Sequence, residues 1–231
     1  MEHKEEKNQG LDLDTTLIET SHKVEKFYHT YKKQITTGII AIVALVGGYV
    51  AFKMFYIEPK EKEAQAAMYQ AQIWFEKDSF NLALNGLGEN AGFIAIADEF
   101  GLTKSGKLAH YYAGVCYMRK GEFQNAIDML DGFSTDNDLV GPLATGLKGD
   151  AYVELNDIEK GASLYMKAAG QSHNKITAPI FLKKAGIAFE ELKSMDNAVR
   201  AYEKIKNEYP ESSEAQDIDK FIARATAANA N

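Results

Sequence analysis

Residues 181–210 read FLKKAGIAFEELKSMDNAVRAYEKIKNEYP. Apolar positions recur at three- and four-residue spacing on either side of the polar break KSMD, the pattern of two amphipathic helices joined by a tight turn. Counted from Pro179, small residues stand at the eighth and twentieth positions, Gly186 and Ala198, and large ones at the eleventh and twenty-fourth, Phe189 and Tyr202. A small residue lets two helices cross closely, and a large one fills the space towards the next pair. The same offsets return from Ala64 (Ala71, Trp74, Ala83, Leu87), from Lys107 (Gly114, Tyr117, Ala126, Leu130) and from Pro142 (Gly149, Tyr152, Gly161, Tyr165). Four registers in the same small and large order mean an internal repeat, and repeats of this length stack into a solenoid.

This order resembles the tetratricopeptide repeat (TPR), a pair of antiparallel helices in about 34 residues. The expected fold is therefore all-α, with about four helix pairs near residues 64–97, 107–140, 142–175 and 179–212. Repeat starts lie 43, 35 and 37 residues apart, so the first interval holds an insertion within ENAGFIAIADEFGLTKSG, read as an extra turn or a longer helix. Asn156 or Asp157 and Ser194 are the expected caps of second helices, and Thr177 lies just before the helix carrying Pro179. A final amphipathic helix at 212–227, with Ile218, Phe221, Ile222 and Ala225 on one stripe, would cover the last apolar face, leaving 228–231 as a flexible tail.

Upstream the composition changes. Residues 34–52 carry no charge and include ITTGIIAIVALVGGYVAF, whose length as a helix, about 27 Å, matches the hydrocarbon core of a bilayer. We read 34–57 as a transmembrane signal anchor rather than a cleaved leader, because the polar segment ahead is long and no small-x-small site follows. Gly47 and Gly48 are a candidate contact for another helix in the bilayer, against the alternative of lipid-facing filler. Residues 1–33 form the cytoplasmic segment, with an amphipathic stripe of Leu13, Leu17, Val24, Tyr28 and Tyr31 and a disordered start over 1–10. Lys32 and Lys33 border the span, and 19 basic against 26 acidic residues follow from Glu58 onward, which orients the N-terminus to the cytoplasm and the repeats outside it.

Composition also excludes function classes. A net charge of −7 argues against binding a phosphate backbone. The five histidines are scattered, no nucleotide-binding, hydrolase or metalloprotease motif occurs, and the lone Cys116 reads as a small buried residue. We expect no enzyme activity, no metal, no cofactor and no small-molecule substrate.

A partner would lie on the first helices of the pairs, which line a solenoid's concave face. By register the groove residues are Met68, Gln72 and Phe75, then Tyr111, Val115 and Met118, then Asp150 and Glu154, then Lys183, Ile187 and Glu191. The acidic pair favours cationic segments. The layout as a whole, with VEKFYHTYKKQ, the single span and QAAMYQAQIWFEKDSFNLALNG, resembles the YfgM-like TPR proteins of Gram-negative bacteria. That resemblance implies a single-pass inner-membrane protein with periplasmic repeats, associated with the Sec translocon and a membrane-anchored periplasmic chaperone. A cell-envelope scaffold unconnected with Sec, or a membrane-tethered regulator, is the alternative.

Overall fold

The computed structural model describes residues 13–171 and 174–229, with 13–25 and 27 described by their backbone. The expected disordered start, His3 and His173 lie outside these residues. The chain falls into two units, Met1–Tyr56 and Ile57–Asn231. In the first, helix α1 (Leu13–Phe52) runs through the uncharged stretch, and a π-helical turn, Lys53–Ile57, follows it. Its apolar side chains are bare: Leu45 is 74% and Phe55 78% exposed. Such a surface is not stable in water over this length, and the helix is a candidate membrane span.

The second unit is a run of helix pairs: α2 (Glu58–Glu76) with α3 (Phe80–Asn85), α5 (Lys104–Lys120) with α6 (Phe123–Asp131), α7 (Val140–Glu154) with α8 (Ile158–Gln171), and α9 (Thr177–Glu191) with α10 (Met195–Glu208). In the second, third and fourth pairs the glycine at the eighth position faces the large residue at the twenty-fourth. A Cβ on Gly114, Gly149 or Gly186 would overlap Leu130, Tyr165 or Tyr202, respectively. The sequence rhythm is thus a contact, repeated pair by pair.

The turn inside each pair is equally regular. Asp78, Gly121, Asn156 and Lys193, all at the fifteenth position, have φ of 54°, 74°, 65° and 58°. The next residue then donates its N–H back to the carbonyl of the large eleventh residue: Ser79 to Trp74, Glu122 to Tyr117, Asp157 to Tyr152 and Ser194 to Phe189, at 2.8–3.0 Å. This is the Schellman closure, which satisfies carbonyls that a helix end leaves unpaired. Asp157 caps α8 through its carboxylate, which accepts from the Lys160 N–H at 3.1 Å. Ser194 makes no side-chain cap; its hydroxyl accepts from the Asn197 side-chain amide at 2.8 Å instead. Thr177 is buried in the first turn of α9, and Asn174 caps it instead, accepting from the Thr177 N–H at 2.6 Å.

The insertion breaks the first pair's second helix instead of lengthening it. After α3 the chain forms a two-residue hairpin, β1 (Gly86–Leu87) and β2 (Asn90–Ala91), then α4 (Phe93–Phe100). In this pair α3 packs on α2 and α4 packs on α5, so the two short helices share the work of one. Gly86 (φ 80°) and Gly92 make the break possible, since a Cβ on either would strike backbone. Leu87, expected in the core at the twenty-fourth position, is 63% exposed on the hairpin. Phe93 takes the interior place, stacked on Tyr112 with centroids 5.0 Å apart.

Buried side chains gather into two clusters. One is built on α2 to α5, and the other on α8 to α10 and the closing helix α11 (Ile218–Asn229), with Leu143 and Val153 of α7 against it. Ile218 and Ala225 of α11 are buried there, flanked by Phe221 and Ile222. A short 3₁₀ turn, Ser213–Asp217, leads into that helix, and α11 continues to Asn229, past the boundary expected for a tail.

The left-handed turns yield a direct test. Lys193 pays for a conformation that costs a side-chain-bearing residue about 1 kcal/mol, whereas Gly121 adopts the same conformation freely. In urea unfolding, Lys193→Gly is expected to stabilise by about 0.5–1 kcal/mol and Gly121→Ala to destabilise by about 1 kcal/mol. Equal effects of the same sign would show that position fifteen does not govern the turn.

Candidate partner groove

The first helices α5, α7 and α9 line one cavity of about 440 Å³, α5 and α7 each with a stripe at i, i+4 and i+7 and α9 with residues at i, i+1 and i+4. From α5 come Tyr111, Val115 and Met118, with Arg119 beside them; from α7 come Leu143, Leu147 and Asp150; from α9 come Ile180, Phe181 and Lys184. Gly146 lets α9 approach α7, because the Phe181 ring occupies the space a Cβ would need. At the other wall the Tyr111 ring lies against Phe133, centroids 5.4 Å apart. The surface is apolar and concave, open enough to admit a chain segment.

Asp150 is engaged. Its carboxylate accepts from Lys184 Nζ at 2.7 and 2.8 Å and from the Tyr165 hydroxyl at 2.6 Å. Burial, together with the hydrogen bond to Asp150, holds the Tyr165 phenol well above its ordinary range, so it remains a donor. The fourth pair repeats the device: the Tyr202 hydroxyl donates to Glu190 at 2.9 Å, and Arg224 of α11 meets the same carboxylate at 2.9 Å. Burial is again the first cause raising this phenol, followed by Glu190.

Of the residues assigned to the groove from register, Tyr111, Val115, Met118 and Asp150 come together. Met68 is buried in the core beneath α3 and α4, and Phe75 packs edge-on to Phe80, Phe93 and Tyr112, so the insertion has taken both for internal packing. Gln72 is half-buried on α2, outside the cavity. Glu154, Ile187 and Glu191 are exposed outside its lining, and Lys183 lies over the Phe221 ring of α11 at 4.8 Å. Sequence reasoning missed Arg119, Leu143, Leu147, Ile180, Phe181 and Lys184. The i+4 spacing from Leu143 and Ile180 was the signal available for Leu147 and Lys184. Gly47 and Gly48 on α1 have nothing within 4 Å of where a side chain would be.

Two pairs of this solenoid, residues 108–136 and 183–212, match the family model described as tetratricopeptide repeat. Two of its four helix pairs are tetratricopeptide repeats. No curated protein matches the chain. As in other TPR solenoids, protein–protein interaction is the role the repeats support. Within the TPR unit Cys116 is fully buried and its thiol is pushed up to about 12 by burial, which leaves it inert. Among the described residues no group of three His, Cys, Asp or Glu is placed to hold a metal.

His110, on α5, packs against Gly132, and its Nδ1 is buried without a hydrogen-bond partner. Burial holds the imidazole below its ordinary value of 6.5, against the opposing charge of Asp98 and a backbone hydrogen bond at Met129. The folded state therefore keeps this ring neutral at a pH where the unfolded chain protonates it. Stability is full above the unfolded value and falls as pH drops through it towards the lower folded value. Urea midpoints measured from pH 7.5 to 5.5 are expected to decline in the wild type and to decline less in His110→Gln; identical slopes would exclude His110 as the cause.

Proposed function

We propose that this chain is a membrane-tethered docking protein without enzymatic activity, whose α1 anchors it and whose α5–α7–α9 groove holds a protein partner. The observation that carries this reading is the apolar cavity spanning the first helices of three consecutive pairs. Support for the anchor comes from the bare apolar helix. In this proposal the N-terminus is cytoplasmic and the repeats are periplasmic, on the Gram-negative inner membrane. The YfgM-like layout favours an ancillary role at the Sec translocon, keeping a periplasmic chaperone near emerging polypeptides.

Membranes crosslinked before detergent extraction should yield the translocon core and a chaperone with the wild-type chain. Val115→Glu, which places a charge on the groove floor, should lose the chaperone while leaving the helical circular dichroism intact. Consistent recovery of another envelope complex, with neither of these, would replace the Sec reading by an assembly scaffold. A reporter fused after Asn231 that is active only in the cytoplasm would reverse the orientation.

A further inference from the structure

Arg119 is the charge in the groove that the solenoid leaves unanswered. It lies in the last turn of α5, exposed at the cavity wall, and among the described residues it makes no ion pair or hydrogen bond. Its neighbour Lys120 shares that turn but is held by Glu122 at 2.7 Å. Position at a helix C-terminus thus accounts equally for both cations and does not account for the difference between them.

We propose that the groove selects an acidic amphipathic segment: a partner peptide that lays apolar side chains on Val115, Met118, Leu147 and Ile180 and seats a carboxylate on Arg119. This rests on the groove being the partner surface. Its basis is charge complementarity after internal pairing is removed. Asp150, the lining's one acid, has both oxygens on Lys184 and one also on Tyr165, so the pair presents no net charge to a ligand. Glu154, one turn further along α7, is exposed and outside the lining. What remains is an apolar floor with one unpaired guanidinium, in a chain whose net charge is −7. A cationic segment would meet Arg119 with no free acid in the lining to offset it. A carboxylate would meet a planar fork of donors suited to two parallel hydrogen bonds, partly shielded from water by the floor.

The test uses the full chain in detergent micelles and a displayed library of random dodecapeptides, followed by synthetic peptides made from the selected sequences. The wild type is expected to enrich apolar peptides bearing Asp or Glu. A selected peptide should lose about tenfold in affinity when its acid becomes the amide, and likewise against Arg119→Gln, the range for a charge-assisted hydrogen bond. Arg119→Glu should shift selection to Lys and Arg. Because Arg119 is exposed and unpaired, neither variant is expected to alter folding, and circular dichroism checks this. Binders that Val115→Glu abolishes, but that are basic or indifferent to Arg119, overturn this proposal and leave the groove reading intact. Binders untouched by Val115→Glu, or no binders at all, overturn the groove reading itself.

Discussion

Everything in the solenoid depends on how closely the two helices of a pair can cross. At Gly149 and Gly161 the backbones of α7 and α8 come near enough that neither position has room for a methyl group, and the same restriction holds at Gly114 and Gly186. The large residue at the twenty-fourth position then fills the notch and carries burial forward; Tyr202, packed over Gly186, is fully buried. Dispersion and burial at such contacts are dense and specific, and a one-residue slip would set a side chain where each ring needs a glycine. The left-handed residue at position fifteen fixes the turn so that these partners meet.

That constraint explains what could be read from the chain and what could not. The helix pairs and their register were legible because a small residue and a large one repeat at fixed spacing, and the closing helix because Ile218, Phe221, Ile222 and Ala225 form one stripe. The long uncharged helix, a candidate membrane span, was legible from length and absence of charge alone. The break in the first pair was not, since ENAGFIAIADEFGLTKSG contains apolar periodicity that suits one longer helix as well as a short one after a hairpin. It is Gly86 and Gly92, in positions where no Cβ fits, that decide the matter. Groove membership was half legible: register names the face of a helix but not what lies opposite it. Met68 and Phe75 share that face with Tyr111 and Met118, yet the insertion and its Phe93 cover the first pair. Charge was the least legible feature, because Asp150 meets Lys184 across 34 residues of sequence.

The insertion has a further effect on the molecule. Lys60 and Glu61, in the first turn of α2, reach across to the inserted helix and to α5: Lys60 pairs with Glu99 at 3.3 Å, and Glu61 accepts from the Ser105 N–H and hydroxyl at 3.1 and 2.7 Å. Burial alone would raise the Glu61 carboxyl, but the Ser105 hydrogen bonds outweigh it and hold the group below its ordinary value. The start of the second unit is therefore clasped to its body. The cavity begins one pair further on, lined by the first helices of the next three pairs. An apolar face of three first helices, with its acid internally satisfied, fits the protein–protein interaction role that the repeats support.

The measurement that bears most directly on this account is site-specific photocrosslinking in intact cells. A photoreactive residue at Val115 or Leu147, on the groove floor, is compared with one at Tyr69, exposed on α2. The account predicts a discrete protein adduct from both groove positions and none from Tyr69. Adducts from Tyr69 with none from the groove would contradict it.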